Sequence, residues 1–590
     1  MAPLPLQAMD LTSLLAVLAE LEPALVPSRF EKAQQCDAHT LQLGFRSLEG
    51  VTWIELSWLA EAPRLLAIDP PPRIGGGSTL AQQLQHGLGG LALVALEQQG
   101  WERVVELAFA PRPGGAICRR LVLELMGRRS NLFLLDQERR VVAAARQVRE
   151  QQSRLRPIGT GDPYVPPPAL AGQPPALEES FEHWHGQLLL LPVSLRQALQ
   201  GAYQGISPAL ALQLCGAERT SAEALLASPV ESLTPQQWQG LWQRWQAWLR
   251  ALQRRQFQFQ RGVATAYSCW APDEQAPPGE PPPRKAAAGL PINRALADYY
   301  GRELGCRQRR QRLQALRQRL QQALERERQQ CQHQQQLLDQ VENSEALQQQ
   351  ADALLCLQQP SREQVAQAQG LYRRARKLRR SVAAITPRLE QHRQRIDQLE
   401  ASLTFLEQQE GDGQHQDERQ LQALEDDCQE LLQGSRGKGR LHRAAGSRDG
   451  GSGAQPPCPL ELRSPGGLRL QVGRNHRQNE WISLRQARRG DLWFHAQECP
   501  GSHVVLKASE AEAADADLQA ASDLAAHFSR ARGNGRVAVV MVPTDDLQRI
   551  PGAGPGTVRH RGGTVLWAEP ERARTLLHPA VSSLGEEPQP

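Results

Sequence analysis

Residues 491–507, DLWFHAQECPGSHVVLK, contain the side chains most able to do chemistry: Trp493, His495, Cys499, Ser502 and His503. Imidazoles and a thiol are zinc ligands, but structural zinc usually takes four ligands in short paired spacings, whereas His495 and His503 lie eight residues apart. A nucleophilic Ser502 or Cys499 would sit on a strand-to-helix elbow of the G-x-S-x-G kind, and neither does. We therefore expect no metal and no catalytic residue here.

The same stretch is typical of a strand, a tight turn at Pro500-Gly501 and a second, buried strand. Trp493, His495, Ser502 and His503 are then expected to form an RNA-facing sheet edge and turn. An indole with neighbouring imidazoles can stack on bases and hydrogen-bond ribose or phosphate groups. The alternative, that Trp493 belongs to a packed core, stays open on the sequence alone.

The elements that precede this stretch begin with a mixed α+β module over residues 8–150. LTSLLAVLAELEPAL has a helical period, whereas LQLGF, VTWIEL, RVVELAF and NLFLL are strand-like. Clustered prolines near 163–175 indicate an extended connector. Residues 178–262 are helical and tryptophan-rich, and GAYQGISPALALQLCGA predicts two short helices about a turn, the second capped by Ser207. This arrangement is helix-hairpin-helix-like, and the alternative is ordinary helix packing around a capped turn.

Leucine spacings of three, four and seven predict a coiled-coil hairpin over residues 301–433, with Pro360 and Ser361 between its arms. Its arms are basic: residues 301–330 carry nine Lys+Arg against three Glu, and 371–395 carry nine against one. A solvated charged face is the simpler interpretation, but contact with structured RNA also requires clustered arginines. The candidate RNA contacts are Arg373, Arg374, Arg376, Arg379 and Arg380.

Residues 434–459 mix Gly, Ser, Arg and Pro without periodicity and predict a flexible basic linker. A small α+β module is expected over 460–590. We predict strands at LRLQVG, WISL and RVAVVMV, and a helix over 508–532.

Length and composition set the outer limits. A chain of 590 residues is too long to fold around one hydrophobic core, so several domains are expected. The net charge of +5 is an average that can conceal strongly charged segments. The ten cysteines are scattered without a CxxC pair, and the start MAPLPLQAMDL does not have the pattern of a signal peptide. No apolar run reaches the ~18–20 residues that span a bilayer. We therefore expect a cytoplasmic protein with no membrane partner.

A resemblance to a known family follows from several of these segments together. The run 472–507, VGRNHRQNEWISLRQARRGDLWFHAQECPGSHVVLK, and the later PGAGPGTVRHRGGTVLW resemble the NFACT-R domain. Asp10 in MDL, GWERVVELAF, LELMGRRSNLFLLD and GDPYVPPP resemble its partner NFACT-N. The chain is therefore similar over nearly its whole length to the NFACT family, which includes the bacterial RqcH or fibronectin-binding-protein-A-like proteins and eukaryotic NEMF. It departs from the family at Trp101-Glu102-Arg103, where Leu-Asp-Arg is usual.

The resemblance implies a multidomain α+β fold. Its expected parts are a MutM-like α+β NFACT-N domain (1–170), similar to formamidopyrimidine-DNA glycosylases, a helical domain with a helix-hairpin-helix (178–300), an antiparallel coiled-coil hairpin (301–433) and a small α+β NFACT-R RNA-binding domain (460–590).

The resemblance also implies ribosome-associated quality control. Two partners are expected: the large (50S) ribosomal subunit, which holds peptidyl-tRNA, and alanyl-tRNA. With these partners, alanine would be added to the nascent chain without mRNA. Peptide transfer would be done by the ribosome, so we expect no enzyme activity and no cofactor.

By motif, Asp10, Glu102 and Arg103 would contact tRNA. The rod arginines and the Trp493 group would contact ribosomal RNA. Whether a small accessory RNA-binding factor takes part stays open. The alternative function is a fibronectin-binding surface adhesin.

Overall fold

The computed structural model describes residues 6–74, 77–153, 156–262, 264–271, 289–411, 418–433, 456–550 and 553–577. They fall into two compact units that divide between Arg307 and Gln308. Both units combine helices and antiparallel strands, which confirms the mixed α and β class. Of the predicted linker at 434–459, residues 434–455 lie outside the described residues.

A nine-stranded antiparallel sheet dominates the first unit. Its strands are β1 (Ser28–Asp37), β2 (Thr40–Ser47), β3 (Gly50–Ser57), β4 (Arg64–Ile68), β5 (Ala92–Gln98), β6 (Val104–Ala110), β7 (Arg119–Glu124), β8 (Asn131–Leu135) and β9 (Val141–Ala144). They lie in the order β4-β3-β2-β1-β5-β6-β7-β8-β9, and β1 joins β5 through only two paired residues. The four segments predicted as strands form β2, β3, β6 and β8.

Two helices accompany this sheet, α1 (Leu11–Leu25) and α2 (Thr79–Leu88). The predicted helical segment coincides with α1, which Asp10 caps through a bond from the Ser13 amide to Asp10 Oδ1 of 2.9 Å. Leu14, Val17 and Leu21 are fully buried in a core that includes residues of the sheet. Apolar side chains at this spacing make one continuous helix face, so the sequence period and the packing agree.

Five helices and a small ribbon follow. They are α3 (Phe181–Leu188), α4 (Leu195–Ala202), α5 (Pro208–Cys215), α6 (Arg219–Ala227) and α7 (Pro235–Arg254), with β10 (Gln260–Arg261) paired to β11 (Tyr267–Ser268). Buried tryptophans on α3 and α7 form the core of this part. Ser207 accepts from the Leu210 amide at 2.9 Å, and Pro208 takes the first helical position of α5, as predicted.

Three helices form the long helical region, α8 (Pro291–Leu355), α9 (Arg362–Gly411) and α10 (Glu418–Gln433). Helix α8 ends and α9 begins on either side of Pro360 and Ser361, and Ser361 exchanges capping hydrogen bonds with Gln364 at 2.8 and 3.2 Å. The arms run antiparallel: as the residue number increases along α8, the number of its hydrogen-bond partner on α9 decreases. The pairs are Arg309–Gln409, Glu327–His392 and Asp352–Tyr372. The separate helix α10, which also packs on the leucines of both arms, was not predicted.

The C-terminal module is built on a six-stranded antiparallel sheet and a two-stranded ribbon. Its elements are β12 (Leu460–Arg463), β13 (Arg469–Val472), α11 (His476–Glu480), β14 (Leu492–Ala496), β15 (Val504–Leu506), α12 (Asp515–His527), β16 (Val537–Pro543), β17 (Leu547–Arg549), β18 (Val558–His560), β19 (Thr564–Ala568) and α13 (Ala573–Leu577). The sheet order is β12-β13-β15-β14-β16-β19, and β17 pairs with β18. Helix α12 packs on one sheet face.

Two predictions for this module need correction. WISL is not a strand: Trp481–Arg485 is a helical turn that continues α11, whose start is capped by Asn475. A short apolar run fits either a strand or a buried helix, and here the upstream cap decides. The helix predicted over 508–532 is shorter, and α12 spans Asp515–His527.

A buried ion pair closes the hairpin made by β14 and β15. Lys507 Nζ lies 3.0 Å from Asp491 Oδ2, and both side chains are almost fully buried. Burial opposes ionisation of Asp491, but hydrogen bonds from Ser509, the Arg488 amide and Lys507 lower its pKa overall. Asp491 and Lys507 are the first and last residues of DLWFHAQECPGSHVVLK, so this pair fixes the whole segment.

We expect Lys507→Met to destabilise this hairpin by about 3 kcal/mol, because it leaves the Asp491 carboxylate buried without its cation. Hydrogen exchange of the amides in residues 491–507 measures the loss locally. The control is Glu510→Gln, which removes the exposed partner of Arg469 and should leave exchange unchanged. Unaltered exchange in Lys507→Met would show that the pair does not hold the hairpin.

Candidate nucleic-acid interface

The Trp493 group lies inside the C-terminal sheet and not at its edge. Strand β14, which carries Trp493 and His495, pairs with β15 on one side and β16 on the other. The predicted placement at a sheet edge is therefore wrong. The reason is long-range: β16 and β19 come later in the chain and add beyond β14, which local patterns cannot reveal.

Burial differs among the four predicted residues. Trp493 is 2% exposed and packs in a cluster with Ile482 and Val505, so it is a core residue. Ser502 is fully buried, and its amide donates to the Phe528 carbonyl at 2.8 Å, which ties the turn to the end of α12. His503 is buried as well, and only His495 is partly exposed.

The rings of this group nevertheless lie in contact. Trp493 stacks on His495 with centroids 5.5 Å apart and planes 10° apart, and His503 meets Trp493 edge-on at 5.0 Å. Ser483 Oγ lies 2.8 Å from His503 Nδ1. Burial lowers the pKa of His495 to about 4 and lowers that of His503 well below its ordinary value. Both imidazoles are therefore neutral at pH 7 and offer hydrogen bonds and flat faces in place of charge.

A cavity of about 920 Å³ opens beside these rings. Its lining includes His476, His495, His503 and His560, together with residues of α9 such as Gln398. His476 Nε2 lies 3.0 Å from Ser402 Oγ and 3.1 Å from the Gln398 carbonyl oxygen, so one wall of the cavity is held to α9. The lining also includes Asp397, Glu400, Glu498 and Arg530, of which Glu400 pairs with Arg530 at 2.8 Å. The uncharged imidazoles offer flat faces and hydrogen bonds that suit a planar group such as a nucleobase.

The five rod arginines are all solvent-exposed on α9. Arg373 Nε donates to the Gln369 carbonyl at 3.3 Å, and Arg379 donates to the Gln348 side chain. In the part of the chain that the structure describes, none of the five has a carboxylate partner within salt-bridge distance. Clustered guanidinium groups without carboxylate partners are what a phosphate backbone would bind.

The first unit brings Asp10, Glu102 and Arg103 together on one cleft of about 1050 Å³. Asp10 is buried there, and its oxygens are engaged: Oδ1 accepts from Ser13, and Oδ2 accepts from Ser207 Oγ at 2.9 Å. The Asp10 carboxylate thus ties the start of α1 to the start of α5, and its geometry favours a positioning role. Its predicted contact with tRNA stays a prediction.

Glu102 and Arg103 also have partners at this cleft. Glu102 Oε1 accepts from the Leu170 amide at 3.0 Å, and partial burial raises the pKa of Glu102. Arg103 Nη1 donates to the Met9 carbonyl at 3.3 Å, a long bond that leaves its other donors for a ligand. Of the three predicted residues, Arg103 is the one best able to bind an anion.

Four further arginines line the same cleft and were not predicted, and three of them lie at its rim. Arg128, Arg129 and Arg146 are exposed, and among the described residues none has a carboxylate partner. The cleft wall beneath them is held by Glu124, which accepts from Arg156 at 2.6 and 2.9 Å and from Tyr164 at 2.9 Å. The sequence signal was the pair of adjacent arginines in MGRRSN, directly after a strand. The cleft is therefore cationic at its rim.

Comparison with known proteins identifies the family. Residues 10–440 match the model of the NFACT N-terminal and middle domains, and residues 462–562 match that of the NFACT protein RNA binding domain. The chain belongs to the NFACT family. Its C-terminal module is therefore an RNA-binding domain of this family, and the residues of the histidine-lined cavity that come from this module lie within the matched range.

Several curated relatives cover most of the chain. The Rqc2 homolog RqcH of Streptococcus suis is 25% identical over 526 residues, which is 84% of this chain and 85% of the relative. That of Streptococcus pneumoniae is 26% identical over 530 residues, with the same coverage. That of Bacillus subtilis is 34% identical over 115 residues, 20% of each chain.

Two solved structures from Streptococcus suis are also similar. The C-terminal part of its fibronectin/fibrinogen-binding protein is 26% identical, with a TM-score of 0.36, and covers 45% of this chain and 98% of its own. The N-terminal part is 20% identical, with a TM-score of 0.36, and covers 50% and 99%. Among the described helices of the present chain, none is both long enough and apolar enough to span a membrane.

The departure from the family pattern at residues 101–102 has a structural explanation. Trp101 packs against Trp248 of α7, with centroids 5.8 Å apart, and a Cβ on Gly205 would come within 2.8 Å of the Trp101 ring. The large indole thus fits a turn that has glycine at the point of contact. The longer carboxylate of Glu102 reaches the Leu170 amide and fixes the connector beside the cleft. Trp101 and Glu102 thus both help to shape the cleft.

The buried imidazoles predict a pH dependence. The pKa of His495 is lowered to about 4, whereas an unfolded histidine takes up a proton near pH 6.5. The unfolded state binds more protons within this window, so stability falls as the pH falls. We expect the C-terminal module to lose about 1–2 kcal/mol between pH 7 and 5, and His503 to contribute in the same direction.

His495→Gln should reduce this pH dependence, as measured by hydrogen exchange of β14–β16 at several pH values. His333→Gln, at an exposed position on α8, is the matched control and should leave it unchanged. An equal pH slope in the wild type and in His495→Gln would contradict the assignment.

Proposed function

We propose that this protein is a ribosome quality control factor. It binds the large (50S) ribosomal subunit that still holds peptidyl-tRNA, recruits alanyl-tRNA and directs the mRNA-independent addition of alanine to the nascent chain. The observation that carries the proposal is the convergence of Asp10, Glu102 and Arg103 at an arginine-rimmed cleft, in a chain of the NFACT family. The relatives named Rqc2 homolog RqcH, aligned over 84% of the chain, support it.

The cleft of the first unit and the arginines of α9 suit two different kinds of RNA contact. The cleft of the first unit combines forked cationic donors with the polar acceptor Glu102, which suits recognition of a folded RNA by shape and by 2′-hydroxyl contacts. The exposed arginines of α9 suit a sequence-independent bond to ribosomal RNA phosphates. Peptide transfer belongs to the ribosome in this proposal, and the protein contributes by positioning the tRNAs.

A fibronectin-binding adhesin, the alternative function, predicts a different location. An adhesin would be recovered with the cell envelope. The proposed factor would co-sediment with large subunits in a sucrose gradient, and a small accessory RNA-binding factor would be recovered with it if one takes part.

We expect Arg103→Ala to abolish co-purifying tRNA and alanine tailing, because it removes the forked donor best placed for a phosphate or base edge. Large-subunit association should persist, since the rod arginines and the NFACT-R domain are untouched. Sequencing of co-purified RNA and mass spectrometry of stalled nascent chains provide the two measurements.

The control is Arg46→Ala, which removes an exposed arginine of β2 that pairs with Glu31 and does not line the cleft. It should change neither measurement. If Arg103→Ala still carries tRNA and tails stalled chains at the normal rate, Arg103 has no role in tRNA binding.

We expect joint neutralisation of the five rod arginines to Gln to weaken binding to the large subunit and to flatten its salt dependence. The logarithmic salt slope should shrink by roughly 0.7–0.9 for each phosphate group that the variant no longer binds. The matched control replaces the same five residues by Lys, which retains the charge and should retain most of the slope. Co-sedimentation that stays the same at every salt concentration in the Gln variant would remove the RNA role from this segment.

A further inference from the structure

An exposed tryptophan stands on the last strand of the C-terminal sheet. Trp567 on β19 is 62% exposed, and Val565 on the same strand is 45% exposed. Most other large apolar side chains of this module are buried in its two cores. Neither the cleft of the first unit nor the rod arginines involve this strand, so the exposed indole calls for an explanation.

Strand register places Trp567 on the same sheet face as the imidazole cluster. His495 pairs with Val540, and Val540 pairs with Val565. One row further along, Ala538 pairs with Trp567. Directly opposed residues of antiparallel strands share a face, so the face that bears Trp493 and His495 continues to Val565 and Trp567. Helix α12 packs on the opposite face.

The histidine-lined cavity extends toward this exposed strand. Both His495 and Val540 line the cavity, and Val565 is the next residue across the sheet from Val540. His560, another lining residue, has its ring centroid 5.9 Å from that of Trp493. The histidine-lined cavity and the exposed indole are therefore parts of one continuous surface.

Cations border this surface. Arg536 directly precedes β16, and its guanidinium is largely exposed and lies 3.5 Å from Glu569. Arg559 and Arg561 flank His560, are exposed, and within the described residues have no carboxylate partner. The guanidinium groups of Arg559 and Arg561 favour an anionic occupant over an apolar protein segment, whereas the carboxylates of Asp397, Glu400 and Glu498 belong to the cavity lining.

We propose that Trp567 is a stacking platform for an unpaired RNA base, at one end of a single-stranded track that crosses the sheet face toward the cavity beside His495. A flat, exposed aromatic ring on a sheet face, with arginines around it, gives each base a π surface and each phosphate a cation. The neutral imidazoles add hydrogen bonds to the base edge. The proposal deepens the proposed function and depends on it only in taking RNA as the ligand.

The first test measures binding of the purified full-length chain to a labelled oligouridylate of about 12 nucleotides, by fluorescence anisotropy. We expect Trp567→Ala to weaken binding about tenfold, and Trp567→Phe to stay close to the wild type, because a phenyl ring still stacks. The salt dependence of the remaining binding should not change, since every cation is retained. Binding to a duplex of the same length should be unaffected.

The control is Leu190→Ala, at an exposed apolar residue of the first unit, which should leave both affinities unchanged. Full affinity of Trp567→Ala for the single strand would overturn the proposal, as would an equal loss on the duplex. A change in self-association without a change in RNA affinity would mark the strand as a protein contact and overturn it as well.

Photo-crosslinking locates the contact when other RNA-binding surfaces compete. Oligouridylate that carries 5-iodouridine should crosslink to the tryptic peptide 562–572, GGTVLWAEPER, in which Trp567 is the sole aromatic residue. The crosslink should disappear in Trp567→Ala. Crosslinks confined to other peptides would refute the stacking role of Trp567. Co-sedimentation of the same variants with large subunits tests the proposed function separately.

Discussion

A buried carboxylate must have its oxygens satisfied, and this constraint shapes both candidate RNA surfaces. Asp491 accepts from Lys507 and Ser509, and so closes the segment that carries the imidazole cluster. Asp10 accepts from Ser13 and Ser207, and so joins the start of helix α1 to the start of helix α5. Leaving such a group unpaired costs several kcal/mol, so each site has little freedom to rearrange.

The same constraint separates residues that hold a surface from residues that can bind on it. Trp493, Ser502 and His503 are buried and have packing or hydrogen-bond roles, whereas His495 and Trp567 remain accessible on the same face. Phosphate contacts from the exposed arginines of α9 would supply affinity with little selectivity, and contacts to bases would supply the selectivity. Both kinds of surface therefore occur in the second unit, on different elements.

The helices and strands that local interactions specify could be predicted from the sequence. The periodicity of apolar residues predicted α1 and the strands β2, β3, β6 and β8. Cap residues such as Ser207 and Ser361 predicted where helices begin, because a cap bonds to an amide only three residues away. The family resemblance likewise rested on short contiguous segments, such as the run 472–507.

The order of the strands, and the burial that follows from it, depend on contacts between segments that are distant in the chain. Strand β14 became internal because β16 and β19 joined the sheet beyond it, which buried Trp493 and left Trp567 exposed on the outermost strand. WISL became helical because of a cap upstream, and Arg128 and Arg129 joined Arg103 because the cleft gathers chain segments distant in sequence. Which side chains meet across a sheet or a cleft is set by packing between distant segments, and no local pattern contains that information.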